Sequence, residues 1–130
     1  MKQKPRLAVF DFADCEGCEL EIADFEEEIL SLLDIVDVVS FREVMKEHSD
    51  TYDIALVEGS IMRPMDEKRL RDIRSKAKIL VAIGACATIG GVNKIRNQWM
   101  HDEVINEVYG DAPIQGNELF NVFKTKALNE

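Results

Sequence analysis

Apolar residues follow two rhythms along this chain. Leu7-Ala8-Val9-Phe10-Asp11-Phe12 is a short, nearly continuous apolar run, the pattern of a buried strand. From Glu19 the period lengthens. Ile22, Phe25, Ile29 and Leu32 recur at three- and four-residue steps and predict one helix with that stripe as its core face. Asp24, Glu26, Glu27 and Glu28 lie off the stripe, forming a solvated face, and the early acids suit a helix's positive N-terminal end. Val36 to Phe41 predicts a second strand, Asp53 to Gly59 a third, and Lys78 to Ile83 a fourth that runs out at Gly84-Ala85-Cys86. Between the last two, Pro64 opens a helix with Leu70, Ile73 and Ala77 turned inward.

Strands alternating with helices across short turns imply a parallel sheet covered on both faces. The expectation is a single α/β domain over residues 1–130, a flavodoxin-like doubly wound sheet. Trp99, Val104, Ile105 and Val108 allow one more helix, ending at Gly110, and residues 111–130 close on no strand. Such sheets commonly have five strands, so with four the domain is expected to lack its C-terminal part.

Composition narrows the role. The 130 residues are 46% apolar and 32% charged, an ordinary globular balance. A net charge of −9 argues against nucleic acid, which needs clustered Lys and Arg. No apolar stretch approaches the ~20 residues of a membrane span. Met-Lys-Gln-Lys-Pro-Arg shows neither a cleavage site nor a twin-arginine signal, so the expected compartment is the cytoplasm. There structural disulfides are rare, and three cysteines cannot all pair within the chain.

Cys15 and Cys18 follow the first strand and Cys86 follows the fourth. Parallel strands end along one edge, where ligands bind near the switch in strand order. In the order 2-1-3-4-5, strands one and four flank strand three, so their ends lie about 10 Å apart. Three cysteines would then share a rim with Glu58-Gly59-Ser60. Zinc commonly takes two short-spaced ligand pairs, and a second pair is missing. A redox dithiol leaves the setting of Cys86 unexplained. The acidic turn Asp14 to Glu19 would repel a flavin phosphate. An iron–sulfur cluster takes thiolates from several loops, usually four. Gly17, Gly59, Gly84, Gly90 and Gly91 would let backbone approach it. A zinc-binding or flavin-binding flavodoxin-like module stays open as the alternative.

Cys-Glu-Gly-Cys after strand one, Val-Glu-Gly-Ser after strand three and Gly-Ala-Cys-Ala-Thr-Ile-Gly-Gly-Val after strand four together resemble the small subunit of [NiFe] hydrogenases. The likeness runs from about residue 7 to residue 97. It is closer to the short cytoplasmic delta or gamma type of sulfhydrogenases and cofactor-linked hydrogenases, within the superfamily of the 20 kDa subunit of NADH:quinone oxidoreductase. That 20 kDa subunit itself fits less well, since its first motif has two adjacent cysteines. The resemblance implies that Cys15, Cys18 and Cys86 ligate the [4Fe–4S] cluster nearest the nickel–iron site. Gly17, Glu58, Gly59, Ser60, Gly84 and Thr88 are the motif positions around it. The family's fourth ligand stands in a Gly-Cys-Pro motif that is not present in residues 1–130, and His48 and His101, in polar stretches, are poor substitutes. The resemblance further implies that hydrogen is split on a large subunit. This chain would relay single electrons to a flavin, NAD(P)-linked or iron–sulfur partner. Asp14, Glu16 and Glu19 would either add negative charge beside the cluster or be solvated loop acids.

Overall fold

The computed structural model describes residues 3–110 and 122–130. Four strands, β1 (Arg6–Asp11), β2 (Asp37–Ser40), β3 (Ile54–Glu58) and β4 (Ile79–Ile83), form one parallel sheet in the order β2-β1-β3-β4. This is the flavodoxin-like order expected from the alternating pattern. β1 pairs with β3 from Leu7↔Ile54 to Asp11↔Glu58, and β3 with β4 from Ile54↔Ile79 to Glu58↔Ile83. These three strands therefore start and stop level. β2 is less regular, its register to β1 shifting between Leu7 and Ala8.

Side chains alternate across the pleat, so each run serves two faces. Ala8, Ala55 and Val57 are buried under helix α3 (Pro64–Lys76), which contributes Ile73 and, just beyond its end, Ala77. Phe10, Phe12, Leu70 and Leu80 close around them. Phe10 meets Tyr52 edge-on at 5.2 Å between ring centres. On the opposite face, Leu7, Val9, Leu56, Val38 and Phe41 line an apolar groove of about 310 Å³ with Ile22, Ile29 and Leu32.

The N-terminus of α3 has Pro64 in its first turn, and the Asp66 carboxylate accepts the Arg63 amide at 3.1 Å. The expected helix from Glu19 is divided. α1 (Gly17–Ala23) ends where the amides of Asp24 and Phe25 bond back to Leu20 and Ile22. α2 (Glu26–Ile35) restarts after Glu26 adopts φ +28°. The break turns Phe25 out, so it is half exposed rather than part of the core face. Ile22, Ile29 and Leu32 keep their inward place, and the acids Asp24 to Glu28 are exposed as expected.

β4 leads directly into a short helix α4 (Gly84–Ile89) and a 3-10 helix (Gly91–Gln98), neither of which the periodicity showed. Trp99 stands between that 3-10 helix and α5 (His101–Tyr109) rather than inside a helix. Residues 111–121 lie outside the described residues. Residues 122–130 form no strand, but Lys126 makes an isolated antiparallel bridge to Ile61 and the Leu128 amide bonds to the Ala87 carbonyl at 2.9 Å. Thr125 and Ala127 are buried by this return. Among the described residues, no helix is long and apolar enough to cross a membrane.

At the N-terminal edge of the sheet, Asp53 ties three strands together. Its carboxylate accepts the Arg6 amide at 2.9 Å and the Lys78 ammonium at 2.7 Å, and its carbonyl accepts the amides of Lys78 and Ile79. The Arg6 amide, then Lys78, hold this carboxyl below its ordinary value of 3.8. A depressed native value means the stabilisation is complete above the ordinary value and is lost as pH falls through the lower native one. Asp53→Asn should therefore melt at a lower temperature than the parent at pH 7. Thermal melts between pH 7 and 2 should show that gap closing on acidification.

Candidate metal centre

The level register fixes what happens beyond the strands. Asp11, Glu58 and Ile83 end side by side, so the loops after β1, β3 and β4 leave from one line roughly 10 Å wide. The β1 and β3 loops stay joined for two more residues. Phe12 and Ala13 donate to the carbonyls of Glu58 and Ser60 at 3.0 and 3.1 Å, and Ser60 donates back to Ala13 at 2.9 Å. Gly59 makes this possible with φ +94°; a Cβ there would lie 2.7 Å from the Phe12 nitrogen.

The chain then turns over the end of the sheet. Asp14 accepts the Glu16 amide at 2.9 Å, and Glu16 takes the left-handed conformation, φ 62°, that starts α1. This carries Cys18 across to β4. A Cβ on Gly84, where φ is +80°, would collide with the Cys18 sulfur. A Cβ on Gly91 would stand 2.8 Å from the Cys86 sulfur, and one on Gly17 3.3 Å from that of Cys15. Each thiol thus rests against a glycine, and the Cys15–Cys18 loop meets the strand-four motif at Gly84. Thr88 is exposed and donates its hydroxyl to the Gly84 carbonyl at 2.8 Å, one helical turn back. Of the histidines, His48 is exposed with its Nδ1 3.2 Å from Ser40 Oγ, and Nδ1 of His101 lies 3.0 Å from the Arg96 guanidinium.

The electrostatics are acidic. Burial pushes the Cys18 thiol up, and the charges of Glu58, Cys15, Cys86 and Asp14 push it further. Cys86 rises for the same leading reason, then through Asp14, Cys15 and Glu58, partly offset by a hydrogen bond from the Val92 amide. Glu58 is 1% exposed, and its carboxylate accepts the Glu19 amide at 2.7 Å, fastening the first turn of α1 to the end of β3. Burial, then the neighbouring Asp14 carboxyl, raises Glu58 to about 7. Burial also raises Asp14.

Glu19 departs from expectation. It is 1% exposed, and burial followed by the neighbouring acids lifts its carboxyl to about 8, so at pH 7 it is largely uncharged. It is neither a solvated loop acid nor a source of full charge beside the cysteines. Glu16 is the exposed acid of the three.

Asn93 escaped the sequence reading. Its side chain donates to the Ala13 carbonyl at 2.8 Å and to Ser60 Oγ at 3.1 Å. A single polar residue inside a 3-10 turn carries no periodic signal, so nothing in the pattern marked it. Among the described residues, the donor atoms that gather within 4.8 Å of one another belong to Asp11, Asp14 and Glu16, not to the three thiols.

Comparison with known proteins gives a consistent set of relatives. The family model described as NADH ubiquinone oxidoreductase, 20 Kd subunit, matches residues 15–119. A subunit of the F420-non-reducing hydrogenase of Methanothermobacter thermautotrophicus is 32% identical over 91% of this chain and 39% of its own length. Sulfhydrogenase 2 subunit delta of Pyrococcus furiosus is 33% identical over 82% of this chain and 45% of its own length. The chain thus spans less than half the length of these curated relatives. A chain in the crystal structure of an NAD+-reducing [NiFe]-hydrogenase in the H2-reduced state superposes with a TM-score of 0.84 and 29% identity. That match covers 98% of this chain and 76% of the other.

Gly84 provides a direct check on this geometry. Gly84→Ala forces a side chain into the left-handed region, at about 1–2 kcal/mol, and displaces Cys18. Urea unfolding should show the lower midpoint, and the accessibility of the Cys18 thiol to an alkylating reagent should change with it.

Proposed function

Because the chain belongs to the NADH ubiquinone oxidoreductase 20 Kd subunit family, we propose that it serves as the iron–sulfur electron-transfer subunit of a [NiFe] hydrogenase. The observation that carries the reading is the convergence at the C-terminal edge, where the Cys18 sulfur lies against Gly84 and the Cys86 sulfur against Gly91. The contact of Cys18 with Gly84 thereby brings two loops distant in sequence to one rim.

The residues present suit a [4Fe–4S] cluster. The glycines beside the thiols leave room for a bulky group, which favours a cluster over the zinc alternative. Cys15, Cys18 and Cys86 would supply three thiolates, with the fourth ligand from outside residues 1–130. When bound, such a cluster accepts and passes on one electron at a time. The chain's own part is to hold the thiolates in place and exclude water. Glu58 fixes the start of α1 through the Glu19 amide, and Gly59 lets the β1 and β3 loops close. The raised thiols imply that ligation releases protons.

The partner surface fits the same reading. Ile89 ends α4, Val92 and Ile95 stand three residues apart in the 3-10 helix, a spacing that its geometry stacks on one side, and all three are exposed, Val92 to 73%. Trp99 and Met100, just beyond the 3-10 helix, are exposed as well. A hydrogenase large subunit would cover these residues and bring its nickel–iron site near the thiols. A flavin, NAD(P)-linked or iron–sulfur subunit would receive the electrons.

Anaerobic reconstitution of the full protein tests the proposal. It should give about four iron atoms per chain and a broad visible absorbance that bleaches on reduction. Cys86→Ser should weaken iron retention at least about tenfold. Zinc binding without iron or sulfide, or a spectrum untouched by Cys86→Ser, would sink it.

The partner surface has its own check. Val92→Asp should leave the melting temperature near the parent's while weakening association with a co-expressed large subunit at least about tenfold, measured by quantitative co-purification.

A further inference from the structure

We propose that Asn93 is the positioning residue that fixes the Cys15–Cys18 loop relative to the segment carrying Cys86. The inference rests on the reading that these three cysteines form one metal site. Backbone pairing joins the β1 and β3 loops as far as Ala13 and Ser60, but β4 is paired only as far as Ile83. Beyond them the loops need other ties, because a thiolate that drifts from its neighbours cannot share a cluster.

Asn93 spans all three loops. It belongs to the 3-10 helix that follows α4 and Cys86. Its side-chain nitrogen donates at 2.8 Å to the carbonyl of Ala13, just before Asp14 and Cys15, and at 3.1 Å to Ser60 Oγ, just after Gly59. Ser60 Oγ in turn donates to the same Ala13 carbonyl at 3.1 Å, closing a three-membered polar ring. Ser60 is fully buried, so these groups have few other partners to turn to. A carbonyl oxygen only accepts, so the nitrogen of the Asn93 amide must face Ala13. The backbone of Asn93 is held from the other side, its carbonyl accepting Thr125 Oγ1 at 3.0 Å. Neighbouring Asn97 does something different. It exchanges two hydrogen bonds with the Thr125 backbone, at 2.8 and 2.7 Å, and so secures residues 122–130.

The chemistry makes Asn93→Asp the sharpest variant. It keeps the shape but turns a carboxylate oxygen toward the Ala13 carbonyl, replacing attraction by repulsion. The test needs no metal. In the full protein carrying Cys15→Ser, a short bifunctional alkylating reagent, losing one halide as each sulfur–carbon bond forms, should join Cys18 to Cys86. Asn93→Asp should slow that cross-link about tenfold, since two hydrogen bonds are lost. Single-thiol alkylation should keep the rate of the Cys15→Ser parent. Asn97→Ala, which loosens residues 122–130 but not the ring, should cross-link at that parental rate.

An unchanged cross-linking rate in Asn93→Asp, or equal slowing in Asn97→Ala, would overturn the assignment. If Asn93→Asp does not fold, Asn93→Ala removes both donated bonds without adding a charge and must show the slowing. With all three cysteines present and the cluster reconstituted, Asn93→Asp should also alter the paramagnetic resonance of the reduced protein. Should that protein take up no iron at all, the metal reading fails, while the cross-linking comparison still decides the role of Asn93.

Discussion

The common register of β1, β3 and β4 is the constraint on which the rest depends. With Asp11, Glu58 and Ile83 ending level, the three motif-bearing loops leave the sheet from one line. A slip of one residue would turn every side chain of a strand to the other face and stagger the loops by a residue's rise. Asp53 guards this register at the opposite edge, where its carboxylate and backbone bond to Arg6, Lys78 and Ile79 together. The geometry at the thiols is thus set partly by contacts at the far end of the strands.

Beyond the strands, close approach replaces pairing. Gly59 and Gly84 take left-handed φ angles and leave no Cβ where Phe12 and the Cys18 sulfur stand. Polar groups then lock what the glycines permit. Glu58 holds the first turn of α1, and Ser60 with Asn93 holds the Ala13 carbonyl. These hydrogen bonds join residues 33 to 80 positions apart, so they form only once the sheet has brought the loops together.

The acids beside the cysteines show how burial overrides composition. Asp14, Glu16, Glu19 and Glu58 would together place four charges near the thiols if all were solvated. Burial instead raises Glu19 to about 8 and Glu58 to about 7, leaving the exposed Glu16 in the solvated role. Burial and the surrounding acids act in the same direction, both favouring the protonated form of these inner carboxyls.

Sequence alone was enough for the parallel sheet, its order and the placement of Cys15, Cys18 and Cys86 at strand ends. Those follow from local period and from the short links between elements, and each leaves a mark in consecutive residues. The break at Phe25, the helix after Gly84, the burial of Glu19 and the ring around Asn93 left no such mark. The last two depend on groups far apart in the chain. Phe25 keeps the helical step of its neighbours, yet a local turn at Glu26 exposes it. Glu19 reads as one more acid in an acidic loop, and only the approach of Glu58 to the start of α1 shows it to be interior. Asn93 has no periodicity to betray it, because its partners Ala13 and Ser60 reach it only when β1, β3 and β4 lie side by side.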